Sequence, residues 1–237
     1  IHAADVYIQE NDFTTAENII DLIPTKTKEN FLDKANLLVK LAEAADNIGD
    51  KIIHYSRALS YYEKYDKTLY TAKSSKLIDL YCYENQLTSL DVSKNLELIK
   101  LNCTDNQLDS IDVSKNTKLD EFHCSRNKLT SIDISSNSEL DYLSCNANQI
   151  TSIDVSNNAK LTRLDCYKNQ LTSIDVSKNS ALERLNCNEN QLTSIDVSKN
   201  TNLTSLEYNK NQITSIDVSN NTELTSFYCY ETQITSL

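Results

Sequence analysis

Residues 161–179 read LTRLDCYKNQLTSIDVSKN, and nearly the same phrase returns 21 residues later from Leu182. Working outward in both directions, eight copies begin at Leu77, Leu98, Leu119, Leu140, Leu161, Leu182, Leu203 and Leu224, the last stopping at Leu237 inside its repeat. Their shared form is L-x-x-L-x-C-x-x-N-x-L-x-x-I-D-V-S-x-N-x-x. Self-similarity at a period of twenty to fifty residues marks a solenoid, because such a unit cannot bury its apolar face alone and must stack on copies of itself. Repeat position 1 is always leucine, position 4 is Leu or Phe, and positions 11, 14 and 16 are always Leu, Ile or Val. These five columns, with the cysteine column at position 6, form the expected core.

The head of each unit is the leucine-rich-repeat consensus with cysteine in place of its third leucine, so each copy contributes one short strand to a continuous parallel sheet. Neighbouring coils then lie roughly 4.8 Å apart, and the rod is about 40 Å long by the same spacing. The only glycine, Gly49, precedes the repeats. Any left-handed backbone in the turns is therefore expected from asparagine and aspartate, which tolerate it better than other residues with a β-carbon. Position 9 holds Asn85, Asn106, Asn127, Asn148, Asn169, Asn190 and Asn211, with Thr232 as the exception. This column reads as an internal ladder whose amides satisfy backbone groups after the strand.

Cys82, Cys103, Cys124, Cys145, Cys166 and Cys187 fall on the same ruler, Tyr208 takes the next mark and Cys229 resumes the series. In-register side chains on parallel strands point the same way at about 4.8 Å, whereas a disulfide needs converging β-carbons roughly 3.5 to 4.5 Å apart. A line of thiols also cannot surround a tetrahedral metal. The cysteines read as a column of small buried hydrophobes.

Residues 1–76 have helical rather than repeat periodicity. Thr14 and Glu17 have capping-box spacing ahead of Ile19, Ile20, Leu22 and Ile23, and Pro24 ends that run. Phe31, Ala35, Leu38, Ala42 and Ala45 predict a second helix ending at Gly49, and Ile52, Tyr55, Leu59 and Tyr62 a third. The expectation is a helical N-terminal cap region over 1–76, covering the first coil of a solenoid over 77–237. The opposite end carries no recognisable cap, so either the chain continues past Leu237 or another molecule covers that end. The chain has no methionine and reads as a mature or trimmed fragment.

The net charge of −11 is uneven: residues 1–76 carry 10 basic and 12 acidic side chains, residues 77–237 carry 13 and 22. An acidic solenoid repels phosphate backbones, which disfavours nucleic acid as a partner. No stretch is long and apolar enough to form a transmembrane segment. The three histidines, His2, His54 and His123, form neither a metal cluster nor a nucleophile–base pair, so no enzyme, metal or cofactor is implied. Asp91-Val92-Ser93-Lys94-Asn95 resembles the opening of a calcium loop but lacks its glycine and terminal glutamate. Asp, Ser and Asn there read instead as caps on the backbone of a turn.

Strand alternation points positions 4 and 6 inward and positions 3, 5 and 7 outward. The outward positions vary freely while the core columns barely change. Within them Tyr142, Arg163 and Arg184 are neighbours on successive coils, with Asp165 and Tyr167 beside them and His123 on one flank. Tyrosine and arginine are enriched at binding hot spots, and two adjacent arginines on an acidic rod make a local seat for a carboxylate.

Period, cysteine column and D-V-S-x-N segment together resemble the internalins, the leucine-rich-repeat surface proteins of Gram-positive bacteria, and within them the internalin J type. The resemblance covers residues 77–237. It implies an α/β solenoid: a right-handed leucine-rich-repeat superhelix with its parallel β-sheet on the concave face, a helical N-terminal cap and a reduced cysteine ladder. It implies an extracellular or cell-surface adhesion module, tied to virulence, whose concave face takes a host protein or glycan. The alternatives are a structural spacer that binds nothing and a homotypic assembly unit of a larger surface protein.

Overall fold

The computed structural model describes residues 77–236 together with Ile20, Leu37, Tyr70 and Thr71. Apart from these four residues, the helical cap expected over 1–76 lies outside the described residues. Two short strands, β1 (Tyr70–Thr71) and β3 (Leu90–Asp91), pair in parallel. The remaining strands are β2 (Asp79–Tyr81), β4 (Lys100–Asn102), β5 (Glu121–His123), β6 (Tyr142–Ser144), β7 (Arg163–Asp165), β8 (Arg184–Asn186), β9 (Ser205–Glu207) and β10 (Ser226–Tyr228). They form one eight-stranded parallel sheet in chain order. Each residue pairs with the one 21 places on, as Leu143 does with Leu164, so every column of the alignment becomes a line of touching side chains.

Backbone pairing continues past the three-residue strands: Cys145 N–H donates to Asp165 O at 2.9 Å, Ala147 N–H to Tyr167 O at 2.9 Å and Gln149 N–H to Leu129 O at 2.8 Å. Two tight turns then bring the chain back to the next strand, closed in the fourth coil by Asn158 N–H to Val155 O and Leu161 N–H to Asn158 O, both at 3.0 Å. Leu140, Leu143, Cys145, Ile150 and Val155 are fully buried, and so are their counterparts in the other interior coils apart from the partly buried Val218. All seven cysteines are free thiols, buried from Cys82 to Cys187 and half-buried at Cys229. Tyr208 occupies the missing mark fully buried, its ring edge-on to Phe227 at 5.5 Å.

Asparagine does two structural jobs. At position 9, from Asn106 to Asn211, each Nδ2 donates to the position-6 carbonyl of its own coil and of the coil before, at 2.8–3.1 Å. The Oδ1 accepts the position-11 N–H of the preceding coil at 3.0 Å. At position 19, from Asn116 to Asn221, each Nδ2 donates to the position-16 and position-19 carbonyls of the coil before, at 2.8–3.1 Å. This second ladder is the deeper one. The Oδ1 atoms of its members Asn116, Asn137, Asn158, Asn179, Asn200 and Asn221 are buried with no hydrogen-bond donor among the described residues.

The left-handed backbone is not where asparagine and aspartate were expected to put it. It falls at position 8 of every coil: Glu84, Asp105, Arg126, Ala147, Lys168, Glu189, Lys210 and Glu231, with φ of 51–59°. Only one of these is an aspartate and none is an asparagine. The strain of a β-carbon there is roughly 1–2 kcal/mol per residue, and the following asparagine holds the turn by tying it to two coils. Side chains at this position project outward, and Arg126 reaches Asp105 at 3.4 Å while Lys168 and Lys210 approach Glu189 at 3.9 and 4.0 Å.

Strand pairing also extends ahead of the first repeat: β1 pairs with β3 in parallel, so stacking begins before Leu77. It supplies backbone partners to Leu90–Asp91, which would otherwise be an open strand edge.

Candidate binding face

The open face of the eight-stranded sheet displays positions 3, 5 and 7. At its centre, Asp165 accepts the Tyr142 hydroxyl on Oδ2 at 2.7 Å, and the same oxygen takes Arg163 Nε at 3.0 Å and Arg163 Nη2 at 2.8 Å. The Arg163 guanidinium lies over the Tyr142 ring, 4.5 Å from its centroid. His123 meets the other side of this group, edge-on to Tyr142 at 4.6 Å, with Nε2 3.7 Å from Glu121 Oε2. Glu121 in turn is bonded by Lys100 from the neighbouring strand. Four of the six residues expected at the site, His123, Tyr142, Arg163 and Asp165, thus form one connected group, to which Tyr167 and Arg184 do not belong.

Of the two adjacent arginines expected to seat a carboxylate, Arg163 is already paired within the protein. Asp165 is only 8% exposed and already fills the Nε/Nη2 edge of Arg163. The pairing crosses strands diagonally, since Tyr142 on β6 reaches Asp165 on β7, a step that column reading does not show. Beside the group, Ser125, Ser144 and Asn146 are buried and mutually bonded, Ser125 Oγ lying 2.8 Å from Ser144 Oγ and both hydroxyls meeting Asn146 Oδ1. The sheet floor from β5 to β7 is therefore pre-ordered by its own hydrogen bonds.

Electrostatics follow from this packing. Burial, then the bond to Asp165, pushes the Tyr142 hydroxyl up to about 12, so it stays a donor. Burial lowers His123 below its ordinary value against the pull of Glu121, leaving it neutral at pH 7. The Lys100 hydrogen bond holds Glu121 below the usual carboxylate range. Further along, Glu207 Oε2 accepts the amides of Asn186 at 3.2 Å and Asn188 at 2.9 Å. Tyr83, Tyr228 and Tyr230, at the two ends of the face, are exposed.

The D-V-S-x-N segments form turns. In each of seven coils the aspartate Oδ1 accepts the N–H of the serine two residues on at 2.8–3.0 Å, and hydrogen bonding from that serine's side chain and backbone together lowers the carboxyl's pKa. Among the described residues no group of His, Cys, Asp or Glu is placed to hold a metal, and no helix is long and apolar enough to cross a membrane.

The in-register coils, the apolar columns and the line of buried thiols define residues 77–236 as an internalin-like leucine-rich-repeat solenoid with a cysteine ladder. It is similar to the functional domain of InlJ from Listeria monocytogenes, itself described as including a cysteine ladder, at 39% identity over 69% of this chain and 41% of that one, with a TM-score of 0.60. The internalin InlF of Listeria monocytogenes matches at 26% identity over 68% of this chain and 50% of its own, with a TM-score of 0.59. Internalin C2 of the same organism shares the fold at 19% identity over 91% and 88% of the two chains, with a TM-score of 0.65. The chain thus spans about two-fifths of the InlJ domain and half of InlF. No protein-family model and no curated protein matches the sequence.

Proposed function

We propose that this chain is a protein-recognition module of a bacterial surface or secreted protein, and that it binds its partner on the open face of the sheet. One observation carries the reading. Every column that builds the coil is nearly constant, whereas the residues displayed at positions 3, 5 and 7 change from coil to coil. A scaffold needs the first property, and a particular surface is the product of the second. The His123–Tyr142–Arg163–Asp165 group supports it by holding aromatic and guanidinium surface in place before any ligand arrives, which lowers the ordering cost of binding. The similarity to internalins supports the surface location and a host protein or glycan as the partner. Fold likeness alone does not select the ligand.

The test is binding of the chain to an array of host-cell surface proteins and glycans, with the native sequence compared against Tyr167→Ala combined with Arg184→Ala. Both residues face out from the sheet without belonging to the connected group, so the variant is expected to fold normally. A partner held by the native chain and lost by the variant supports the reading. A partner held equally by both places recognition elsewhere, and no partner at all favours a spacer.

A further inference from the structure

Among the cations of the open face, one has no counter-charge among the described residues. The cations are Lys100, Arg163 and Arg184, His123 being neutral at pH 7. Lys100 is bonded to Glu121, and Arg163 to Asp165. Arg184, on the exposed rim of β8, has neither an ion pair nor a side-chain hydrogen bond among the described residues. A carboxylate stands close by in the fold, since Glu207 lies on the adjacent strand in register with Asn186. That carboxylate is instead held by the amides of Asn186 and Asn188. The protein thus satisfies its own acid with neutral donors and leaves the guanidinium open.

The register places further donors around Arg184. Arg163 is its partner on β7 and Ser205 its partner on β9. Arg163 binds Asp165 through Nε and Nη2, which leaves Nη1 without a partner among the described residues. A planar guanidinium recognises a carboxylate with two parallel hydrogen bonds, and a charge-assisted contact of this kind is about twice as strong as a neutral one. The net charge of −11 opposes an acidic ligand at long range, so capture of a carboxylate on this face depends on the local cations Arg184 and Arg163.

We propose that Arg184 is the specificity-determining anchor of this face, and that it takes a carboxylate from an acidic peptide segment of the protein partner lying across β7 to β9. This rests on the open-face reading above. The experiment uses three fluorescein-labelled decapeptides of equal length, with central residues acidic, amide or basic, titrated by anisotropy into the full chain. The acidic peptide is expected to bind, and the amide and basic peptides at least about 10-fold more weakly, the size expected of one charge-assisted bond. Arg184→Gln is expected to lose about the same 10-fold, Arg184→Lys to retain part, and Lys178→Gln, on an exposed turn, to change nothing. Equal binding of the acidic peptide by native and Arg184→Gln chains overturns the proposal, as does no binding, or an equal loss in Lys178→Gln. Arg184 is then an ordinary solvated side chain. The two readings fail differently: a partner from the protein array lost on Tyr167→Ala but kept on Arg184→Gln removes the anchor and spares the open face.

Discussion

Replacing Asn169 by alanine should be among the most damaging single changes in the solenoid, although it deletes only a small amide. Asn169 Nδ2 donates to Cys145 O at 3.1 Å and Cys166 O at 3.0 Å, and its Oδ1 accepts Ile150 N–H at 3.0 Å. Each cysteine carbonyl keeps a second asparagine donor, from Asn148 and Asn190 respectively, so the change costs two bonds there of about 1 kcal/mol each. The Ile150 N–H is left as a buried donor without an acceptor, which costs roughly 1–3 kcal/mol more. The expected loss is about 3–5 kcal/mol by this sum. Asn169→Asp should be no better: it restores an acceptor for Ile150 but buries a carboxylate oxygen against two carbonyls. The control is Asn157→Ala, an exposed residue with one bond to Ser135 O at 3.4 Å, expected to cost under about 0.5 kcal/mol. Urea unfolding followed by far-UV circular dichroism reads the midpoints. Coincident midpoints for the Asn169 and Asn157 variants would mean that the ladder contributes nothing beyond a surface contact.

Ala147→Gly at a left-handed position should stabilise by about 0.5–1 kcal/mol, the relief of β-carbon strain less the extra chain entropy of glycine, while Ala159→Gly on an ordinary turn should not; thermal melts of the pair decide it. Burial pushes the Cys103, Cys145 and Cys187 thiols up to about 12, so a thiol reagent at pH 8 without denaturant should modify Cys229 alone, and all seven cysteines once urea is added. More than one rapid label on the native chain contradicts the buried column. His123 has a folded pKa below its ordinary 6.5, so between those values the unfolded chain binds more protons and stability falls as pH drops from about 6.5, levelling off below the folded value. His123→Asn should flatten that slope in urea midpoints taken from pH 7.5 to 5.5, and an unchanged slope would assign it to other groups.

The coil was legible because its requirements repeat. An apolar column appears in the sequence as the same residue type every 21 places, and the pairing of Leu143 with Leu164 only restates the alignment. The position-9 asparagines were visible for the same reason. The deeper ladder at position 19 carried an equal signal, asparagine in all seven copies from Asn95 to Asn221, but its segment reads equally well as a simple turn. The left-handed residue was invisible. Position 8 is Glu, Asp, Arg, Ala or Lys, and its backbone is dictated by the neighbours that hold the turn rather than by its own preference. The face was half legible: strand alternation identifies which residues point out, yet the closure of Arg163 by Asp165 and Tyr142 depends on diagonal reach across strands. That closure leaves Tyr167 and Arg184 as the members of the expected site still open to a ligand.

If the variable sheet face, and not the constant turns, meets the partner, hydrogen–deuterium exchange of the chain alone and with a protein captured in the array screen will show it. Added protection is expected in the segments just after β6 to β9, around Asn146, Tyr167, Asn188 and Asn209, with the turns at Asp154–Asn158 and Asp175–Asn179 unchanged. Protection confined to those turns, with the sheet segments exchanging as in the free chain, would contradict it.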